Sequence, residues 1–158
     1  MKRLALIAFI CLPLACATNR PGTNKSTTTP GRGAIKLTIT PNPVLATSLG
    51  GTKYDFPFDA VVKETGGHPV TIDSVTANVY AGGGILVGTE TYDATKIQSL
   101  GFATTILAKG EIHYHFDPRK DVTDDHLFSS VYGDVRVEAT DDNGTRVSSS
   151  TTITVAKK

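Results

Sequence analysis

The chain has 158 residues, 16 Lys and Arg against 15 Asp and Glu, 39% hydrophobic residues, no Trp and two Cys. A balance this close to neutral, with no basic run longer than Arg119-Lys120, speaks against nucleic acid as a partner. Both cysteines, Cys11 and Cys16, fall in the first sixteen residues, so the remainder has no disulfide framework, thiol nucleophile or Cys-based zinc site.

The chain opens with Lys2-Arg3, continues through an apolar run of about 14 residues, and reaches Cys16 directly before a polar stretch. About 20 apolar residues are needed to span a bilayer as a helix, so a cleaved export signal is expected here and not a membrane helix. Lys2-Arg3, the apolar residues 4–15 and the pair Ala15-Cys16 resemble a bacterial lipoprotein signal. That resemblance implies cleavage before Cys16 and acylation of its sulfur and new amino terminus. Pro13 departs from the pattern, and Ala15-Cys16-Ala17 also reads as a site for ordinary secretory cleavage after Ala17. Residues 17–33 are rich in Thr, Pro, Gly and Asn. Too poor in apolar side chains to order themselves, they are expected to form a linker averaging about 20–25 Å end to end.

From residue 34 to the end the texture changes to short alternating runs, enough for one domain. Ile35, Leu37 and Ile39 alternate with polar residues up to Pro41-Asn42-Pro43, which breaks the run. Tyr54, Phe56, Phe58, Ala60 and Val62 share a phase, with Pro57 marking an edge or a bulge. Val70 and Ile72 lead to a phase slip at Asp73-Ser74 before Val75, Ala77 and Val79 resume, which predicts a bulge or a change of sheet. Residues 92–100 are the one stretch of helical character, with Asp93 as cap and Gly101 as stop. Strand character is expected over 102–107 and again over 111–117, where Ile112, Tyr114 and Phe116 oppose Glu111, His113, His115 and Asp117. Residues 117–125 read as a polar loop. The alternation of Val131, Gly133, Val135, Val137 and Ala139, then Asp141-Asp142-Asn143-Gly144, then 147–155, is a hairpin signal of the Asn-Gly kind.

Seven to eight short antiparallel strands and no long helix predict an all-β, two-sheet sandwich. The segment YGDVRVEATDDNGTRVSSSTTITV resembles the last two strands of bacterial Ig-like, PKD-like and fibronectin type III-like domains. The resemblance implies an Ig-like sandwich over residues 34–158, following a lipoprotein signal at 1–16 and the linker at 17–33. The tryptophan and paired cysteines of antibody-type domains are missing.

His113 and His115 are the candidate metal ligands. Residues two apart on a strand share a face at about 6.6 Å, a separation two imidazoles can bridge to one ion. Glu111 and Asp117 fall on the same face, yet four donors along one strand cannot enclose an ion, so His68 or His126 would have to come from elsewhere. The carboxylates of Asp141 and Asp142, and those of Asp121, Asp124 and Asp125, lack the longer calcium-loop series and read as turn chemistry. Asp55 and Asp59 read as the outward face of one strand. No G-x-S-x-G, H-E-x-x-H, P-loop or G-x-G-x-x-G opening a helix occurs. The expectation is therefore a non-enzymatic binding or structural module with no cofactor and no catalytic residue, held at the cell envelope through a bilayer-inserted, acylated Cys16. On this reading it sits at the outer membrane or a periplasmic face and meets a protein or glycan partner. The alternatives are a soluble secreted or periplasmic protein, a metal-binding protein using His113 and His115, and a carbohydrate-binding accessory domain with Tyr80, Tyr92 and Tyr132 as outward aromatics. The end loops 81–84, 117–130 and 141–144 are the expected contact surfaces.

Overall fold

A computed structural model describes residues 31–158 apart from the side chains of Asp125 and Leu127. The expected signal with Cys16 and most of the expected linker, residues 1–30, lie outside the described residues. The elements in chain order are β1 (Ile35–Thr40), β2 (Val44–Gly50), β3 (Lys53–Asp55), β4 (Phe58–Glu64), β5 (Val70–Ala81) and β6 (Ile85–Asp93). Then follow α1 (Ala94–Ser99), β7 (Thr105–Ile106), β8 (Glu111–Phe116), β9 (Arg119–Asp121), a 3-10 turn (Asp125–Ser129), β10 (Tyr132–Asp141) and β11 (Arg146–Lys157).

Two sheets face each other. The smaller has the order β1-β4-β8; the larger runs β6-β5-β10-β11-β2-β3-β9, with β7 added beside β5. The arrangement is a two-sheet sandwich, a three-stranded sheet packed on the sheet of the C-terminal hairpin. All neighbours are antiparallel except β2, which runs parallel to β11 at Val44–Val155. The parallel pair arises because the chain leaves the small sheet after β1 and joins the large one as β2. Asn42 guides that crossing: its side chain donates to the Thr152 carbonyl at 3.1 Å and accepts from the Thr154 N–H at 3.1 Å, standing in for strand backbone.

Pro57 has a larger effect than an edge or bulge. Tyr54 and Phe58 share a phase in sequence, but β3 belongs to the large sheet and β4 to the small one. A proline cannot donate to a ladder, so the chain changes sheets there. Asp73 behaves as the phase slip predicts: the β5–β10 register skips from Ser74 to Ile72 opposite Glu138 and Ala139. Asp93 caps α1, accepting from the Lys96 N–H at 2.7 Å. Sequence reading overstates the strand at 102–107, which pairs only at Thr105–Ile106, and misses β9 inside the polar loop.

The main core lies between the sheets, with Leu37, Ile39, Ala60, Val62 and Tyr114 from the small sheet against Val70, Ile72, Val135, Val137 and Ala139 from the large one. Ile97 of α1 and Ile106 of β7 close one side. Each fully buried Val, Leu or Ile among them contributes about 1.5–3 kcal/mol. A second cluster of Ala46, Tyr54 and Phe128, with Phe56, Val122 and Val155 packed on it, supports the extension formed by β2, β3 and β9.

Candidate functional site: the two poles of the sandwich

Strand direction divides the molecule into two ends about 30 Å apart, the length of the ten-residue β10. At the N-terminal pole the chain enters β1 beside the end of β4, the start of β5 and the β10–β11 turn. Two buried carboxylates bind the entering backbone there. Glu64 is fully buried and has only main-chain donors around it. Its Oε1 accepts from the N–H groups of Ala34 at 3.2 Å, Gly66 at 2.6 Å and Gly67 at 2.9 Å. Oε2 accepts from Gly67 at 2.9 Å and Lys109 at 2.8 Å. Burial pushes the Glu64 carboxyl up, but the N–H groups of Lys109, Gly67, Ala34 and Gly66 outweigh it and hold the pKa at about 2. Asp141 accepts from Gly33 at 3.0 Å, Asn143 at 3.0 Å and Thr145 at 2.7 Å. The Gly33 and Thr145 N–H groups lower its pKa against the opposing effect of burial.

Glycine is required where these segments touch. A Cβ on Gly66 would run into the Arg32 carbonyl and the Gly33–Ala34 backbone, and one on Gly33 would meet Asp141 and Val70. Residues 31–33, the end of the expected linker, therefore lie in contact with the domain. Both carboxylates leave a sequence signal: Glu64 continues the inward phase of Ala60 and Val62, and Asp141 that of Val135, Val137 and Ala139. A charge at an inward position needs partners, and the following Gly66-Gly67 and Asn143-Gly144 turns supply bare N–H groups.

The opposite pole carries the 81–84 and 117–130 loops, while the 141–144 turn, grouped with them by sequence, lies at the N-terminal pole. Tyr80 and Tyr132 pair across β5 and β10, and their rings stack with centroids 5.0 Å apart and planes 15° from parallel. Beside them Ile85, Leu86 and Val87 are 66%, 53% and 59% exposed. Asp55 approaches Asp117 in the same region. A hydrogen bond with Asp117, burial and the Asp117 charge raise its pKa, with Arg119 opposing. Arg119 reaches both carboxylates only at 3.7 and 3.8 Å. Asp55 and Asp59, one face in the sequence reading, are separated by the change of sheet, and Asp59 pairs with a histidine instead.

His113 and His115 share the outward face of β8, as expected, and both side chains are exposed. Each has its own carboxylate: His113 Nε2 lies 2.9 Å from Glu111 and His115 Nδ1 lies 2.8 Å from Asp59 on β4. Hydrogen bonding to His113 lowers the Glu111 pKa. His68 sits at the N-terminal pole, 3.1 Å from Asp142, and His126 lies in the 3-10 turn. Among the described residues no group of three or more His, Cys, Asp or Glu is placed to hold a metal ion. Tyr92, the third outward aromatic expected, is half-buried and donates to Glu90, which pushes its pKa up to about 12.

A shallow groove of about 210 Å³ runs between Pro41, Leu45, Phe58 and His115, and an apolar crevice of about 20 Å³ lies under Tyr92 and Phe102. Both are smaller than the ~300–1,000 Å³ of drug-sized ligand pockets. Among the described residues no helix is long and apolar enough to cross a membrane.

No family model matches the chain, and no curated protein matches it in sequence. Solved structures resemble it in fold. One structural-genomics protein superposes with a TM-score of 0.54 at 10% identity, over 77% of this chain and 86% of its own. A putative ApaA protein from Bordetella pertussis gives 0.50 at 12% identity, over 79% and 96%. A CARDB domain from Pyrococcus furiosus gives 0.30 at 16% identity, over 78% and 94%. At these identities the first two likenesses show the fold alone, an all-β sandwich.

Proposed function

We propose that this chain is a non-enzymatic, Ig-like binding or structural module of the cell envelope, tethered through an acylated Cys16 and making its contacts at the pole opposite its N-terminal attachment. The division of the molecule into two unlike poles carries this reading. At one, Glu64 and Asp141 bind the incoming chain to the domain, so a pull on the tether meets charge-assisted hydrogen bonds before it reaches the core. At the other, the loops and an exposed apolar run face away from the point of attachment. A linker averaging about 20–25 Å leaves that end free of the membrane. Acyl chains contribute about 0.8 kcal/mol of membrane affinity per buried methylene, so more than one chain gives durable anchoring.

Membrane fractionation and intact mass test the tether. The mature protein should carry acyl mass on Cys16 and sediment with membranes, and Cys16→Ser should release it. A mature mass that begins at Thr18 without lipid would replace the anchored reading with the secreted one.

One observation favours a second reading, a glycan-binding accessory domain. The Tyr80–Tyr132 stack stands on the outward face of the large sheet, whose same-face neighbours are Asn78, Asp134, Thr152 and Thr154. Aromatic rings beside hydroxyl and amide groups suit a sugar ring. Co-sedimentation with insoluble cell-wall glycan that is lost in Tyr132→Ala would establish it, and equal sedimentation of both proteins would dismiss it.

A further inference from the structure

The N-terminal pole gathers cations that are far apart in sequence. Arg32, Lys36, Lys109 and Arg146 are exposed around it, on the entering chain, β1, the β7–β8 turn and the start of β11. None of the four has an ion-pair partner among the described residues. Lys36 stands directly opposite Lys63 across β1 and β4, a destabilising like-charge arrangement, and of the two only Lys63 has a carboxylate, Glu111 at 3.7 Å. The exposed carboxylates nearby are engaged: Asp142 lies 3.1 Å from His68, Glu111 lies 2.9 Å from His113, and Asp73 accepts from the Thr140 hydroxyl at 2.7 Å. Leu107, at 72% the most exposed of the large apolar side chains described, belongs to the same pole, while Ile106 beside it is buried. The turn that presents Leu107 is pinned. The Gly110 N–H donates to the Leu107 carbonyl at 2.8 Å, and Lys109, at φ 62°, is held by Glu64 and by its own Nζ, which donates to the Thr65 carbonyl at 2.6 Å.

We propose that this pole is a membrane-facing surface, on which Arg32, Lys36, Lys109 and Arg146 meet anionic phospholipid headgroups and Leu107 enters the interfacial layer. This orientation rests on the acylated Cys16 of the proposed function and adds to it which face the bilayer meets. The tether selects the occupant. As a coil, residues 17–30 average about 20 Å end to end, so a lipid-anchored Cys16 holds Gly31, which lies against His68, within that reach of the bilayer. Attraction between the cations and a charged leaflet fades beyond the ~8 Å screening length at physiological salt, so a free domain binds weakly. A short tether supplies a local concentration of roughly millimolar, which makes weak attraction sufficient. Charge at the other pole favours the same orientation. Residues 117–125 there carry Asp117, Asp121, Asp124 and Asp125 against Arg119 and Lys120, so an anionic surface attracts one end and repels the other. The domain thus stands upright, with the 81–84 and 117–130 loops directed away from the bilayer.

The proposed processing removes Cys11 with the signal and acylates Cys16, so Leu107→Cys introduces the only free thiol of the mature chain, and Ile85→Cys does the same at the opposite pole. Each variant, labelled with an environment-sensitive fluorophore, is reconstituted as the mature acylated protein into vesicles of phosphatidylglycerol and phosphatidylcholine that carry a headgroup nitroxide. The nitroxide should quench the label at position 107 at least threefold more strongly than the label at position 85. The excess should fall in phosphatidylcholine alone and in about 1 M salt, where the screening length is ~3 Å. Lys36→Gln combined with Arg146→Gln should lower the ratio of docked to undocked protein about thirtyfold, since each cation near an anionic surface contributes roughly fivefold. The melting temperature should not change, because both residues are exposed and lack ion-pair partners. Equal quenching at positions 107 and 85, or an excess at 107 that survives the double glutamine substitution, would overturn the orientation and leave the anchor standing. An intact mass without acyl chains would overturn both.

Discussion

Replacing Glu64 with glutamine isolates the carboxylate that fastens the entering chain. The substitution keeps Oε1 for Ala34, Gly66 and Gly67 but turns an amide NH₂ toward the N–H groups of Lys109 and Gly67, donor against donor, in a fully buried site. A carboxyl moved from 4.5 to about 2 on folding contributes at most about 3 kcal/mol. Hydrogen bonds to a charged acceptor are worth about 1.5–3 kcal/mol, so a loss of about 2 kcal/mol at pH 7 is expected for Glu64→Gln. Because the folded pKa lies below the unfolded one, this contribution is complete above pH 4.5 and fades as pH falls toward 2. Urea titrations followed by far-ultraviolet circular dichroism should therefore show the gap between wild type and variant narrowing by about 1–2 kcal/mol from pH 6 to pH 3. Taking the difference removes the parallel contribution of Asp141, which titrates in both proteins. A gap of the same size at both pH values would refute the electrostatic account and leave Glu64 as a packing residue.

Gly66→Ala should cost about 1–3 kcal/mol in chemical denaturation, because its Cβ meets the Arg32–Ala34 backbone, whereas Gly82→Ala, with open space around it, should be near neutral. Asp55→Asn should raise the melting temperature at pH 7. The folded pKa of Asp55 is raised by Asp117, so its ionised form destabilises the fold above that pKa, and the gain should disappear at pH values below 3.8, where both states are protonated. Zinc or copper at fivefold excess should leave the wild-type melting temperature unchanged, since His113 and His115 are held by separate carboxylates; a rise abolished by His113→Ala would restore the metal reading.

Legibility differed between elements for physical reasons. The C-terminal hairpin could be read because both of its faces are set locally: alternation marks the buried side, and Asn-Gly supplies the turn. The phase of β8 was equally plain, and the outward placement of His113 and His115 followed from it. The partner of His115 did not, since Asp59 lies on another strand, 56 positions away. Pro57 announced an interruption but not that the strands on either side join different sheets, because a proline removes one ladder bond without saying where the chain goes next. β9 escaped notice because three charged residues at a sheet edge have no periodicity to detect.

The sequence by itself determined an all-β sandwich, its principal inward residues and the absence of any cysteine chemistry in the domain, because strand phase and composition are local properties of the chain. Tertiary structure decided which end is which. Glu64 and Asp141 acquire their role from N–H groups brought by Gly33, Ala34 and Lys109, residues 30 or more positions distant. The exposure of β6 follows from sheet order, a property no single strand carries. Nonlocal pairing thus separates the pole where Glu64 and Asp141 bind the entering chain from the pole where Ile85, Leu86 and Val87 stand exposed.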